Sequence, residues 1–299
     1  MFKNILVPLD GSNLSEAALA PAAFLAATLL ARVTLLHVIE QDAPREVHDD
    51  RHLTNPAEAE AYLKQTAGRE FKTRVKTHVH TGAVSDVAHS IAEHAQAEFN
   101  PDLIIICTHG RGGMHDLLFG SIAQQVVANG STPLLLIKPT SPRFKLDRVL
   151  VPLDPDSEHD VSLPFAQFIA RSFGAELILL SVIPTFSTLA GEQAATGNLM
   201  PGTTQALLDI QEENAGAHLQ EHTALLKKQG VKSTPLIARG DPASAILRAA
   251  EEKQVDLIIL STHRKTGVKA FWSRSVSPTV AQRTKIPLLL IPLPLGSTP

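Results

Sequence analysis

Short apolar runs alternate with longer amphipathic stretches along the whole chain. In the first half, the runs are rich in Ile, Val and Leu and are mostly continuous, which is typical of strands buried on both faces. They predict strands at residues 5–9, 33–39, 75–80, 103–107 and 134–138. The Ala-rich stretches between them carry apolar residues at helical spacing. These predict helices at residues 15–30, 56–70, 85–98 and 121–129.

The second half repeats the first. NILVPLD at residues 4–10 recurs as RVLVPLD at 148–154, DLIII at 102–106 recurs as DLIIL, and PLLLI at 133–137 recurs unchanged. The three motifs keep their order and return about 150 residues later, so the chain is a duplicated domain. The second copy predicts strands at residues 149–153, 177–182, 234–238, 257–260 and 288–291.

Alternating strands and helices with short connections predict parallel sheets covered by helices. We expect an α/β, Rossmann-like fold with two doubly wound five-stranded parallel sheets. The domains would span residues 1–139 and 147–299, with a Pro- and Ser-containing linker at 140–146. The final PLLLI strands would lie at sheet edges and cover one another in an intramolecular pseudo-dimer, and a homodimer is left open.

The stretch 184–201 in the second repeat has several small and polar residues and little periodicity. It is longer than most α/β connections and predicts a loop, either a lid, a partner surface or a mobile connection.

Composition excludes several classes of protein. Apolar residues make up 44% of the 299 residues and the net charge is −3, so the chain can form ordinary cores and has no basic surface for nucleic acid. The longest uncharged run, residues 17–31, contains Pro21 and is shorter than the roughly 20 residues that span a membrane. Cys107 is the sole cysteine and cannot form an internal disulfide. We therefore expect a cytoplasmic protein without a membrane segment.

Candidate binding residues follow the predicted strands. Ligands of open parallel sheets bind beyond the carboxyl ends of the strands, where the strand order reverses. Asp10-Gly11-Ser12 follows the first strand, residues 37–39 end the second, and CTHGRGG at 107–113 follows the fourth. Glycines and a following helix start can receive a phosphate, although such glycines also occur in ordinary turns. The pattern is neither a P-loop nor a dinucleotide fingerprint, so the residues alone leave both readings open.

VPLDGS, THGRGG, Gly120-Ser121 and the terminal PLLLI strand together resemble the universal stress protein family, and the duplication resembles its tandem form. The resemblance covers essentially the whole chain and implies the fold of the adenine nucleotide alpha hydrolase group. The ATP-binding branch carries G-x2-G-x9-G-[ST]. Cys107, Gly110, Gly120 and Ser121 stand at these positions, with cysteine in place of the first glycine.

The resemblance implies a site for ATP or ADP in the first repeat, with accompanying Mg²⁺ left open. Asp10 would lie near the ribose and phosphates, and the backbone of Val38 would contact adenine. The implied nucleotide-binding set is Pro8, Asp10, Val38, Cys107, His109, Gly110, Arg111, Gly113, Gly120, Ser121 and Ile122. Two residues have alternatives: Asp10 could form only a turn and helix cap, and Arg111 could be a solvated loop residue.

The second repeat departs from this pattern. Arg264 stands where the first repeat has Gly110, Arg274 stands where it has Gly120, and Pro155 stands where it has Gly11. A side chain at such a glycine fills the space of a phosphate, so we expect no ATP in the second repeat. Its basic loop could instead receive another anion.

The thirteen histidines raise a metal hypothesis, and His78 and His80 lie two apart on one face of a strand. Because the sequence contains neither an H-E-x-x-H nor a C-x-x-C motif, we expect no metal site. Cys107 near His109 lacks an orienting third group, so we expect no catalytic residue and at most slow ATP hydrolysis.

The resemblance implies a role in stress response, through a nucleotide-dependent state or through an unidentified protein partner. The alternatives are an interaction module without nucleotide and a slow ATPase.

Overall fold

The computed structural model describes residues 1–44, 46–47, 50–108, 123, 125–126, 130–139, 144–154, 157–189, 192–262 and 276–293. The strands are β1 (Asn4–Pro8), β2 (Arg32–Glu40), β3 (Glu46–Val47), β4 (Asp50–Arg51), β5 (Lys76–Val84), β6 (Leu103–Cys107), β7 (Leu134–Ile137), β8 (Arg148–Pro152), β9 (Glu176–Ile183), β10 (Ser233–Arg239), β11 (Leu257–Thr262) and β12 (Leu288–Pro292). The helices are α1 (Leu19–Leu29), α2 (Pro56–Glu70), α3 (Val87–His94), α4 (Leu163–Phe173), α5 (Glu192–Leu199), α6 (Pro201–Lys228), α7 (Pro242–Glu252) and α8 (Val276–Arg283).

Contacts group the chain into two compact units. The first unit comprises Met1–Phe144, Thr262–Arg274 and Lys285–Pro299, and the second comprises Lys145–Ser261 and Ser275–Thr284. The last strand of the second repeat, β12, thus belongs to the first unit.

The sheet of the first unit has the order β5-β2-β1-β6-β7-β12. Its first five strands are parallel, and the order reverses between β1 and β6. This confirms the doubly wound arrangement. β12 pairs antiparallel with β7, with Leu288 opposite Leu136 and Leu290 opposite Leu134. The expected pairing of the two PLLLI strands is therefore present, and it covers the edge of β7.

The second unit contains the order β10-β9-β8-β11, and its strands are parallel. This order repeats β5-β2-β1-β6 of the first unit, as expected from the duplication. The central strands β8, β9 and β11 consist mostly of buried residues. The outer strands β5 and β10 carry many exposed positions, unlike the continuously buried strands that the sequence predicts. Each of them has a neighbouring strand on one side only.

The aspartate of each DLII motif fastens the amino end of a central strand. The Asp102 carboxylate accepts backbone N–H bonds from Lys3 at 2.7 Å and Asn4 at 3.0 Å. Asp256 accepts the corresponding bonds from Asp147 and Arg148, both at 2.9 Å. Hydrogen bonds to a charged acceptor are stronger than neutral ones, so the recurring aspartate is explained by strand positioning.

The expected loop at residues 184–201 is wrong. It contains a 3₁₀ turn at Phe186–Thr188 and the helix α5, although residues 190 and 191 lie outside the described part. The turn is fixed by a capping box, in which the Thr185 amide donates to Thr188 Oγ1 at 2.8 Å. Leu189 then packs against Ile183 and Leu208. Tertiary packing decides the structure where periodicity is weak.

Two-residue strands β3 and β4 form an antiparallel pair that the sequence analysis did not predict. In the first helical stretch, residues Ser15–Ala18 form a 3₁₀ turn and α1 begins at Leu19.

Within the described parts of the chain, no helix combines the length and the apolar character needed to cross a membrane.

Candidate functional site

A cavity of about 580 Å³ lies in the first unit where the strand order reverses. The carboxyl ends of β1, β2 and β6 supply one part of its wall and the start of α3 supplies another. Its lining includes Pro8, Leu9, Asp10, Ser15, Leu36, His37, Val38, Glu40, His52, Ser85, Asp86, Val87, Ala88, Ile91, Ile106, Cys107, Thr108, Ala123 and Gln125. The volume is in the range of small-molecule sites, and the position is the one expected for an open parallel sheet.

The turn after β1 is built by Asp10, Gly11 and Ser12. Asp10 Oδ1 accepts hydrogen bonds from the Ser12 amide at 2.9 Å and the Ser12 hydroxyl at 2.6 Å. Gly11 has φ +91°, and a Cβ there would lie 2.6 Å from Leu53 Cδ1. Asp10 therefore forms a turn, as the alternative role given for this residue in the sequence analysis expects. It also lines the cavity.

His37 fixes the wall between β1 and the chain after β4. The side chain is buried, with Nδ1 2.8 Å from the Leu9 carbonyl oxygen and Nε2 2.9 Å from that of Leu53. Both ring nitrogens are thus in hydrogen-bond contact with backbone. His37 thereby holds Leu53 over the Gly11 turn, which makes the turn geometry rigid.

The end of β2 departs from regular pairing. Val38 lies opposite His80 of β5, and the register then shifts between Val38 and Glu40 before Gln41 donates to the Val84 carbonyl at 2.8 Å. Such irregularities disrupt the strand ladder and are over-represented next to functional sites. The shift lies beside the cavity, at the strand end that the sequence analysis selected.

Cys107 ends β6 and faces a partly buried environment. Burial is the main reason that the pKa of its thiol rises to about 12, and the negative charge of Asp10 raises it further, whereas Lys138 opposes the shift. Burial in turn lowers the pKa of the Lys138 ammonium. A thiol with this pKa stays protonated at physiological pH and is a poor nucleophile.

Thr108 continues from Cys107 and anchors the start of the following loop. Its amide donates to the Ile137 carbonyl of β7 at 2.8 Å, and the residue is buried. The next residues, 109–122, lie outside the described part of the chain. They include His109, Gly110, Arg111, Gly113, Gly120, Ser121 and Ile122 of the implied nucleotide-binding set. The glycine-replacing Arg264 and Arg274, and Pro155, also lie outside it.

Four residues of the implied set are described, and the fold brings all four to the cavity: Pro8, Asp10, Val38 and Cys107. Asp10, Glu40 and Asp86 give the described wall an acidic character, and no Lys or Arg is present among its lining residues. This wall suits groups that donate hydrogen bonds, such as sugar hydroxyls, better than it suits phosphate.

The sequence did not predict the contribution of Glu40, of His52 and of the start of α3 to the cavity. His52 is buried and its Nε2 lies 3.7 Å from a Glu40 carboxylate oxygen. Asp86 caps α3 by accepting the His89 amide at 2.8 Å. The Ser-Asp pair before an apolar helical stretch is a recognisable cap signal, whereas nothing in the sequence placed His52 beside β2.

Two side-chain groups could hold a metal ion among the described residues: His78 with His94 and Glu98, and Asp160 with His218 and His222. In the first, the His94 Nδ1 contacts the Ser90 carbonyl at 2.9 Å, and Lys76 Nζ lies 3.6 Å from Glu98. Burial is the main reason that the pKa of His78 is lowered. Lys76 therefore competes with a metal ion for the carboxylate of this group, and neither group contributes to the described cavity lining.

Comparison with known proteins gives a consistent family relationship. The model of the universal stress protein family matches residues 1–138 and again 145–292. A universal stress protein of Mycolicibacterium smegmatis is 24% identical over 303 residues, which cover 96% of each chain. One from Methanocaldococcus jannaschii is 29% identical over 150 residues, covering 49% of this chain and 82% of the relative.

Solved structures show the same tandem fold. A putative universal stress protein from Pseudomonas aeruginosa aligns with TM-score 0.70 at 18% identity, covering 97% of this chain and 93% of that one. A universal stress protein from Archaeoglobus fulgidus aligns with TM-score 0.67 at 19% identity, covering 97% and 96%. With two family matches that span nearly the whole chain, the protein belongs to the universal stress protein family in its tandem, two-repeat form.

Proposed function

We propose that the cavity of the first repeat binds one adenine nucleotide, ATP or ADP, and that the second repeat binds none. The observation that carries this proposal is the cavity at the strand-order reversal, which gathers Asp10, Val38 and Cys107 from three strands. The loop pattern that resembles the ATP-binding branch begins at Cys107, at the mouth of this cavity.

The described wall supports a particular orientation of the nucleotide. Val38, Ala88 and Ile91 offer apolar contacts to the base, and the irregular backbone after Val38 offers groups to its polar edge. The Asp10 carboxylate can accept hydrogen bonds from ribose hydroxyls. Because the described wall is acidic, we expect the phosphates to point toward the glycine-rich stretch after Cys107 and toward the helix that the sequence predicts from residue 121.

The proposed role is a nucleotide-dependent state that a protein partner in a stress response recognises, in the cytoplasm. Catalysis is not part of this proposal. Burial raises the pKa of the Cys107 thiol to about 12, which disfavours covalent catalysis by that residue. Mg²⁺ would accompany the phosphates as a component of the ligand.

The first test is to denature freshly purified protein and identify any released nucleotide by chromatography. Calorimetric titration with ATP and ADP, with and without Mg²⁺, then compares wild type with Asp10→Asn and Gly120→Arg. Asparagine keeps an acceptor oxygen for the Ser12 turn but removes the charge. A lost hydrogen bond to a charged group weakens binding by about 10- to 100-fold.

Asp154→Asn is the matched control, because Asp154 occupies the position of Asp10 in the second repeat. It should leave the affinity unchanged. Two nucleotides per chain, or equal losses in Asp10→Asn and Asp154→Asn, would contradict the assignment to the first repeat. No release and no binding heat would favour an interaction module without nucleotide.

A further inference from the structure

The second unit contains three half-buried side chains that converge between two elements. Asp160 lies in the 3₁₀ segment Ser157–Ser162 that leads into α4, and His218 and His222 lie one turn apart on α6. Both Nε2 atoms approach the same Asp160 oxygen, Oδ2, at 3.2 Å from His218 and 3.0 Å from His222. The three side chains are 13% to 22% exposed.

The two histidines belong to the packed side of α6. Its buried apolar positions are Leu208, Ala215, Leu219 and Leu226, and His222 falls on the same side of the helix, three residues after Leu219. An apolar residue would ordinarily occupy such a position, since burying polar groups is costly unless they find partners. The imidazoles therefore need a compensating interaction.

An ordinary ion pair leaves part of this cluster unexplained. His222 Nε2 forms a hydrogen bond with Asp160 Oδ2, which satisfies those two atoms. Asp160 Oδ1 and His218 Nε2 are buried and have no hydrogen-bond partner among the described residues. Buried unsatisfied atoms in a native structure call for an explanation such as a bound water or ion.

In the first repeat, an ion pair occupies the position that corresponds to this cluster. Glu16 stands at the position of Asp160, and it forms an ion pair with Arg69 of α2, the helix equivalent to α6. Each repeat thus connects the segment after its first strand to this helix through a carboxylate and a basic side chain. In the second repeat the permanently charged arginine is replaced by two imidazoles, which are good metal ligands when neutral.

We propose that Asp160, His218 and His222 form a binding site for a divalent transition metal ion of the Zn²⁺ class. All three ligand atoms lie within 4.8 Å of one another, so a single ion can contact them with a modest adjustment of the side chains. Two imidazoles and one carboxylate suit Zn²⁺ and its neighbours in the first transition row, whereas Mg²⁺ prefers oxygen ligands.

The ion would supply the positive charge at the contact between the 157–162 segment and α6, as Arg69 does at the equivalent contact of the first repeat. It would also bind the Nε2 of His218, which makes no hydrogen bond to the described residues, and the Asp160 carboxylate. The result is a metal cross-link between the 157–162 segment and α6, independent of nucleotide in the first repeat.

The test uses the full chain purified without a polyhistidine tag and stripped with EDTA. Hydrogen exchange with and without Zn²⁺ should show slower exchange in residues 157–162 and around His218 and His222, and EDTA should reverse it. This measurement needs no variant and therefore does not depend on whether substitutions fold. Protection confined to residues 78–98, or no protection, would overturn the proposal, as would equal protection by Mg²⁺.

Zn²⁺ titration of variants then assigns the ligands. His218→Ala, His222→Ala and Asp160→Asn should each weaken binding by at least about 100-fold, because loss of a direct ligand exceeds the 10- to 100-fold effect of outer partners. His94→Ala removes the other histidine group and Glu221→Gln changes an exposed neighbour on α6, and both should retain binding. Unchanged affinity in the first three variants, or loss in His94→Ala alone, would refute the assignment.

Discussion

Replacing Gly11 with alanine should destabilise the first unit, for two separable reasons. The residue has φ +91°, and an alanine in a left-handed conformation costs about 1 to 2 kcal/mol. The new Cβ would also lie 2.6 Å from Leu53 Cδ1 and 2.7 Å from Cγ, so Leu53 must move. Overpacking of this kind costs about 1 to 3 kcal/mol, which gives a total of about 2 to 5 kcal/mol.

Two further variants separate the backbone cost from the steric cost. Gly174, which ends α4, also has positive φ, at +72°, but a Cβ there would meet no atom within 4 Å. Gly174→Ala should therefore cost only the backbone contribution of about 1 to 2 kcal/mol. In the other direction, Leu53→Ala in the Gly11→Ala background should relieve the clash and give a favourable coupling of about 1 to 3 kcal/mol.

Urea unfolding followed by circular dichroism measures these differences. Hydrogen exchange of peptides from β1 and from α4 reports the stability of the two units separately. The comparison therefore does not require that the whole chain unfolds in a two-state transition. The reasoning is refuted if Gly11→Ala costs no more than Gly174→Ala, or if the double variant shows no coupling between residues 11 and 53.

Three further perturbations test other parts of the structure. Gly216→Ala should stabilise α6 by about 1 kcal/mol, because it raises helix propensity and the Cβ meets Ile237 Cδ1 at an ordinary 3.6 Å; a lower urea midpoint would contradict this. Hydrogen bonds from Ser244 hold the pKa of Asp241, the α7 cap, below its usual value, so its contribution is present above the unfolded-state pKa and is lost as pH falls through the lowered one. The free energy of unfolding of Asp241→Ala should therefore be about 1 kcal/mol lower than that of wild type at pH 7, seen as a lower urea midpoint, and the two proteins should converge in acid. The Cys107 thiol, whose burial raises its pKa from 9.0 to about 12, should react with iodoacetamide at pH 8 at least about 10-fold more slowly than in the urea-unfolded chain, and equal rates would show that it is not buried.

The sequence could predict the sheet and the position of the site because both depend on local pattern and chain order. Continuous apolar runs located β1, β2, β6 and β7, and the repeated motifs gave the duplication. Once the strands are parallel and doubly wound, Asp10 and Cys107 must meet at the order reversal. The strand-end position of Val38 follows from the same rule.

Other features depend on tertiary contacts that no local pattern contains. His52 reaches the cavity because β3 and β4 return the chain toward β2, and each of these strands has two residues. The helix α5 forms in a stretch with weak periodicity, and Leu189, which packs on the second-unit core, lies beside Gly197 of this helix. His218 and His222 have a helical metal-ligand spacing, but their significance depends on Asp160, which lies almost 60 residues away.

The pairing of β7 with β12 has a consequence for biosynthesis. β7 leaves the ribosome about 150 residues before β12, which corresponds to roughly 8 to 30 s at ordinary rates of translation. During that interval the four parallel neighbours of the first repeat can assemble, while the outer ladder of β7 has no native partner. An open, apolar ladder invites pairing with a neighbouring nascent chain on the same polysome. The duplicated gene therefore places the strand that closes the first sheet on the same polypeptide, where it arrives at high effective concentration once the second repeat has been made.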